Sequence, residues 1–316
     1  MPTGPTPAII RPFAPDADLP RLVRLMAAVE ALDQSGEDVG EERLRDLMGA
    51  PGHDPALDRW VAVSPADPDQ LVGFGAVWKA SAGASADLDG AIHPAWRRRG
   101  LGDQLLDRAL TRARALGARA VGAYAGAGNP AAQAFLRAHG FAHVAANTLL
   151  RSPSDHPFPS PVFPAGYRLR TYADVADLSV LVDAFNRGFE GLWGHHLVTA
   201  EMVAGWLPEM PADGIFLLFA PDRRVAGICR CERDQRLSAR RGVSTAYIDA
   251  PGVVPEHRAL DLRRPLVLAA IHWLLPQRPV NIELESWGDA PETLAQYEAL
   301  GFSIVRHALA YRLGLA

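Results

Sequence analysis

Ile92-His93-Pro94-Ala95-Trp96-Arg97-Arg98-Arg99-Gly100-Leu101-Gly102 is the stretch from which the rest of the chain can be read. A strand pattern ends at Ile92, the chain turns at Pro94, and a long amphipathic helix begins at the glycines. Leu101, Leu105, Leu106, Ala109, Leu110 and Ala113 mark one apolar face of that helix. Such a junction leaves the first N–H groups of the helix unpaired at its positive end, an arrangement that suits a phosphate or pyrophosphate. Gly100 and Gly102 let the oxygens approach the main chain without a Cβ in the way, and Arg97, Arg98 and Arg99 add charge beside it. Taken alone, the same letters also fit an Arg-rich surface loop with a glycine turn.

The stretch recurs in altered form 161 residues later. Pro94, Arg97, Leu101, Leu105 and Ala109 correspond to Pro255, Arg258, Leu262, Leu266 and Ala270. Pro130, Ala134, Ala138, Gly140 and Phe141 correspond to Pro291, Ala295, Ala299, Gly301 and Phe302. Ten identities in an ungapped 48-residue window mark a duplicated domain, because solenoid repeats run at ~20–50 residues. Between the copies, Ser152–Ala165 holds five prolines in fourteen residues and reads as a stiff, extended linker. The expected division is therefore a first domain at 1–151, a linker at 152–165 and a second domain at 166–316. Each copy reads as a strand, a helix, a short helix, three strands, a helix, a strand, a helix and a last strand. In the second copy the first helix is expected over 174–187.

The 316 residues suit two domains, and with 48% hydrophobic and 22% charged residues the chain has material for two cores. The net charge of −4 is evenly spread, so no general nucleic-acid or polybasic membrane surface is expected. No apolar run approaches the ~20 residues of a membrane span, and the polar, Pro-rich start lacks the form of a signal peptide. Cys229 and Cys231, spaced by two on one strand face, lack the further partners of a zinc site. The expectation is a cytoplasmic protein, monomer or homodimer, without metal, nucleic-acid or membrane partners.

Arg97-x-x-Gly100-x-Gly102 after Ile92-x-Pro94, followed by Asn129-Pro130-Ala131-Ala132 and Gly140-Phe141, resembles the GNAT superfamily of acyl-CoA-dependent N-acetyltransferases. The duplicated form is similar in architecture to mycothiol synthase and related tandem GNAT proteins. The resemblance implies an α/β (mixed α+β) fold of two tandem domains, each a mostly antiparallel mixed sheet with splayed central strands flanked by helices. It implies acetyl-CoA as co-substrate, with its pyrophosphate at Arg97, Arg98, Arg99, Gly100, Leu101, Gly102 and Asp103. The pantetheine arm would lie against Gly90, Ala91 and Ile92, with Asn129 on the opposite side. A backbone N–H near Ile92 would face the thioester oxygen.

The second copy departs at the loop. Asp261 and Arg263 replace Gly100 and Gly102, Pro265 removes a donor, and Ala290 replaces Asn129, so no CoA is expected there. The tyrosine that protonates the leaving thiolate in many family members is Leu136 in the first copy and Tyr297 in the second. Either the acid of the first copy comes from elsewhere, or Tyr297 is a structural relic. For the base, Asp87 and Asp89 share one strand face unless a β-bulge reverses it, or they are an ordinary solvated face. The resemblance places Glu30, Glu37, Asp38 and Glu41 in the acceptor region. In the second copy Trp193, His195 and His196 match that region, and Asp249, Glu283 and Glu285 flank the would-be cleft. A vicinal histidine pair is a poor chelate. The implied function is acetyl transfer from acetyl-CoA to a primary amine of a small molecule, by direct attack in the first domain. Acetylation of a cysteinyl conjugate, as in mycothiol synthase, and non-catalytic acyl-CoA binding are the alternatives.

Overall fold

The structure is a computed structural model that describes residues 7–37, 39–48, 54–79, 85–195, 197–233, 235, 238–239 and 242–315. Asp38 and His196 lie outside the described residues. The chain forms two compact units, Met1–Val144 with Ala308–Ala316, and Ala145–His307.

The first unit contains β1 (Ile9–Pro12), α1 (Pro15–Asp33), α2 (Glu41–Met48), α3 (Pro55–Asp58), β2 (Arg59–Val63), β3 (Leu71–Trp78) and β4 (Ser85–Ile92). It continues with α4 (Leu101–Ala115), β5 (Ala120–Gly126) and α5 (Pro130–Ala138). Pro15 opens α1, and the Asp18 carboxylate accepts the Ala14 N–H at 2.8 Å, which satisfies one end of the helix. β3 is buried on both faces from Leu71 to Val77 and so takes a central place. One face of the sheet packs on Leu101, Leu105, Leu106, Ala109 and Ala113 of α4. The other packs Phe74 and Ala76 on Leu22 and Leu25 of α1 and Leu44 of α2.

The second unit repeats the plan with β7 (Arg168–Thr171), α6 (Tyr172–Val175), α7 (Leu178–Gly188), α8 (Ala200–Trp206), β8 (Ile215–Phe219) and β9 (Val225–Arg233). After these come β10 (Thr245–Val253), α9 (Arg263–Leu274), β11 (Asn281–Trp287) and α10 (Pro291–Glu298). The helix expected over 174–187 is broken at Ala176, where φ is 49°, because Thr171 and Asp174 cap α6 and Asp177 starts a new helix. Cys229 and Cys231 are buried on one face of β9, where burial pushes both thiols up.

The last strands are exchanged. β6 (Ala142–Pro153) pairs with β11 in the second unit, while β12 (Ser303–Gly314) pairs with β5 in the first. Within the first unit the strand order is thus β1-β2-β3-β4-β5-β12 and within the second β7-β8-β9-β10-β11-β6, with these neighbours antiparallel except for β4–β5 and β10–β11. The sequence halves 1–151 and 166–316 therefore differ from the compact units by one strand each. Both strands are twelve residues long and repeat-equivalent, so either suits an antiparallel edge. The linker between them is not a free spacer. Phe158 and Phe163 pack on the core of the second unit, and His156 lies against Gly301.

Candidate active site

β4 and β5 are paired only at Ser85–Ala120, Ala86–Val121 and Asp87–Gly122. Beyond Asp87 the β5-facing edge of β4 is open, while its other edge stays bonded to β3 as far as Ile92. Leu88–Ile92 therefore offers a row of main-chain groups to an extended ligand. This open edge leads into the glycine loop. Gly100 caps α4 with φ 73°, a left-handed conformation that favours glycine, and Arg98 has φ 58°. The amides of Leu101, Gly102 and Asp103 precede the first helical bond, from Gln104 N–H to Gly100 O at 3.3 Å. Unpaired amides at the start of a helix suit an anion. Arg98 and Arg99 are exposed, and the Arg99 guanidinium rests 4.9 Å from the Trp96 ring.

Other predicted loop residues act differently from the expectation. A Cβ on Gly102 would press on the Phe135 ring at 3.2 Å, so this glycine serves the packing of α4 on α5. The Asp103 side chain turns to His139 at 2.9 Å. Arg97 is paired with a carboxylate. Its Nη1 and Nη2 hold both oxygens of Asp33 at 2.8 and 2.7 Å, and its Nε donates to Ile92 O at 3.2 Å. Asn129 Nδ2 also donates to Asp33, at 3.0 Å, while its Oδ1 caps α5. Asp33, at the end of α1, thus bridges the segments that follow β4 and β5. Sequence reading missed it because it belongs to no motif and lies 64 residues from Arg97. The repeat holds the equivalent contact: Arg258 donates its Nε to Val253 O at 2.9 Å.

The candidate bases lie on the face shared with α1. β4 runs without a bulge against β3, so Asp87 and Asp89 do share a face. Burial, reinforced by the charge of Glu37, lifts the Asp89 carboxyl to about 6. Tyr124 lies exposed on the same face of β5, beyond the point where pairing stops. Glu30 is not available as a base, because its carboxylate accepts the Ser35 hydroxyl and the N–H groups of Ser35 and Gly36. Glu41 pairs with Arg45 within α2. Leu136 is buried on α5 with no polar atom to offer.

In the second unit β10 and β11 stay paired through Asp249–Glu285, and Pro251 takes the repeat position of Gly90, which removes an N–H from the would-be edge. No residue of 258–265 has a positive φ, and α9 begins Arg263-Arg264-Pro265. A pyrophosphate cradle is absent there. Tyr297 is fully buried, with its hydroxyl donating to Asp289 at 3.3 Å, and burial pushes it well above the usual tyrosine range. Asp249 pairs with Arg230, Glu283 with Arg151, and Glu285 with Arg306 and Tyr247. The Trp193 backbone and Cβ lie against Gly288, and His195 N–H donates to Leu192 O.

Comparison with known proteins agrees with this geometry. A profile of the Acetyltransferase (GNAT) family matches residues 26–141. Mycothiol acetyltransferase of Tsukamurella paurometabola is 30% identical over 253 residues, covering 76% of this chain and 82% of that protein. Its counterpart in Paenarthrobacter aurescens is 26% identical over 309 residues, covering 94% and 93%. Among solved structures, a GCN5-related N-acetyltransferase from Sphaerobacter thermophilus has a TM-score of 0.79 at 20% identity, covering 99% of this chain and 97% of that one. A tandem GNAT protein from the clavulanic acid biosynthesis pathway has a TM-score of 0.67 at 22% identity, covering 97% and 98%.

Proposed function

This chain belongs to the GNAT acetyltransferase family, and on that premise we propose that its first unit binds acetyl-CoA and acetylates a primary amine of a small molecule. The observation that carries the reading is the open edge of β4 beyond Asp87, leading to the free amides of Leu101, Gly102 and Asp103. The edge takes the pantetheine arm, and the amides with Arg98 and Arg99 take the pyrophosphate. A neutral amine approaches from the α1 face and attacks the thioester carbonyl carbon. Asp89, ionised above about pH 6, accepts the proton that the nitrogen loses. The carbon–sulfur bond breaks, and the thiolate takes its proton from water, which recovers one from Asp89, since Leu136 offers none. Main-chain N–H near Ile92 stabilises the oxyanion.

The test is calorimetric titration with CoA, together with thiol release from acetyl-CoA against a library of amines. One CoA per chain and amine-dependent thiol release support the reading; two equivalent sites, or no amine-dependent turnover, refute it. A mycothiol-type acceptor is the second reading, favoured by relatives of that name at 26–30% identity. It predicts that a cysteinyl conjugate outcompetes simple amines in the same library.

A further inference from the structure

β12 brings to the first unit an arginine that its surroundings leave unused. Arg312 is registered opposite Gly122 of β5, and Gly122 opposite Asp87 of β4. Opposed residues share a sheet face, so Trp78, Asp87, Gly122 and Arg312 form one row across the face that carries Asp89. Asp89 and Tyr124 stand in the next row, on either side of the splay. Gly122 leaves the centre of the first row without a side chain, and a Cβ there would stand 2.8 Å from Asp87 Oδ1. Arg312 is exposed and, among the described residues, has no hydrogen-bond or ion-pair partner. Arg11, Arg21, Arg97 and Arg112 of the same unit each hold a carboxylate.

The duplication supplies a control. At the offset of 161, Arg312 is the counterpart of Arg151 and Gly122 the counterpart of Glu283. In the second unit Arg151 and Glu283 are registered opposite one another and joined, with Nη2 and Nε at 2.6 and 3.0 Å from Glu283 Oε1. In the first unit the arginine remains and its acid has become glycine. The same strand position therefore presents a guanidinium without a hydrogen-bond or ion-pair partner among the described residues, beside a glycine over which Asp87 Oδ1 lies, one row from the proposed base. A planar monoanion matches the guanidinium fork and is repelled less by the nearby Asp87 carboxylate than a phosphate dianion would be.

We propose that Arg312 binds a carboxylate of the acetyl acceptor, so that the preferred substrates are amines carrying a carboxylate at the far end. This rests on the reading of the first unit as the catalytic one. The geometry also makes the far C-terminal strand part of the acceptor site of the N-terminal unit. The full-length enzyme and its Arg312→Gln and Arg312→Glu variants are assayed with alkylamines, ω-amino acids and diamines of matched chain lengths. The wild type should favour the amino acid over the matched alkylamine by about tenfold in kcat/KM, the share of one charge-assisted bond. Arg312→Gln should bring that ratio close to one, and Arg312→Glu should turn the preference to the diamine. CoA affinity, measured by calorimetry, should be the same in all three. A wild type without preference for the amino acids, or a preference that survives both substitutions, overturns the proposal while acetyl transfer itself stands. If no amine of any set is acetylated, the catalytic reading of the first unit fails first, and this inference with it.

Discussion

Replacing Asp89 by Asn should make the protein more stable and less active at once. The carboxyl is lifted from its ordinary 3.8 to about 6, first by burial and then by the charge of Glu37. That lift corresponds to ~3 kcal/mol at ~1.36 kcal/mol per pH unit, an upper bound for a side chain that keeps some contact with solvent. The sign follows from proton linkage. Between pH 3.8 and about 6 the unfolded chain loses this proton before the folded one does, so stability falls as pH rises and stays lowered above about 6. Asparagine removes the ionisation while keeping the shape. Asp89→Asn should therefore gain up to ~3 kcal/mol at pH 7.5 and nothing at pH 3.5, seen as a melting point raised by roughly 2–4 °C per kcal/mol. Acetyl transfer should fall by about 10²-fold or more with acetyl-CoA affinity retained, the scale of a lost general base. In the wild type, the acidic limb of kcat/KM should lie near pH 6. Glu37→Gln should move that limb to lower pH by removing the second cause of the lift. Thermal denaturation at the two pH values and a pH–rate profile are sufficient. An Asp89→Asn variant of unchanged activity would refute the assignment of the base, and one less stable at pH 7.5 would refute the burial argument.

Three further outcomes are expected. Gly100→Asp should abolish CoA binding in calorimetry, because it forces a left-handed φ of 73° on a carboxylate and sets that charge beside Asp103; Asp261→Gly should leave binding unchanged. Asp33→Ala releases Arg97 and Asn129 together, so the KM for acetyl-CoA should rise about tenfold while kcat changes less, and an equal loss in kcat would argue against a positioning role. Tyr311→Ala, although near the C-terminus, should destabilise the first unit by about 3–5 kcal/mol in denaturant unfolding, because this buried ring packs on the core of that unit and accepts from Arg137 at 3.0 Å. If residues 1–151 alone unfold with the wild-type midpoint, the exchanged strand is not needed.

By itself the sequence determined what local chemistry encodes. Apolar periodicity placed the α4 stripe, the glycines located the start of that helix, and the offset of 161 showed the duplication and the damaged second loop. A glycine turn and the spacing of a buried face act over a few residues, and for that reason they can be read from letters alone. The tertiary structure decided everything that depends on residues far apart in the chain. It gave Arg97 a partner in Asp33, and Glu30 partners in the turn after α1. It placed the side chain of Glu37 close enough to Asp89 to help lift its carboxyl. It also joined β12 to β5 and β6 to β11, although the two strands carry repeat-equivalent patterns. An antiparallel edge bonds through main-chain groups common to every residue, so the strand's own pattern cannot name its partner; the folded chain shows it.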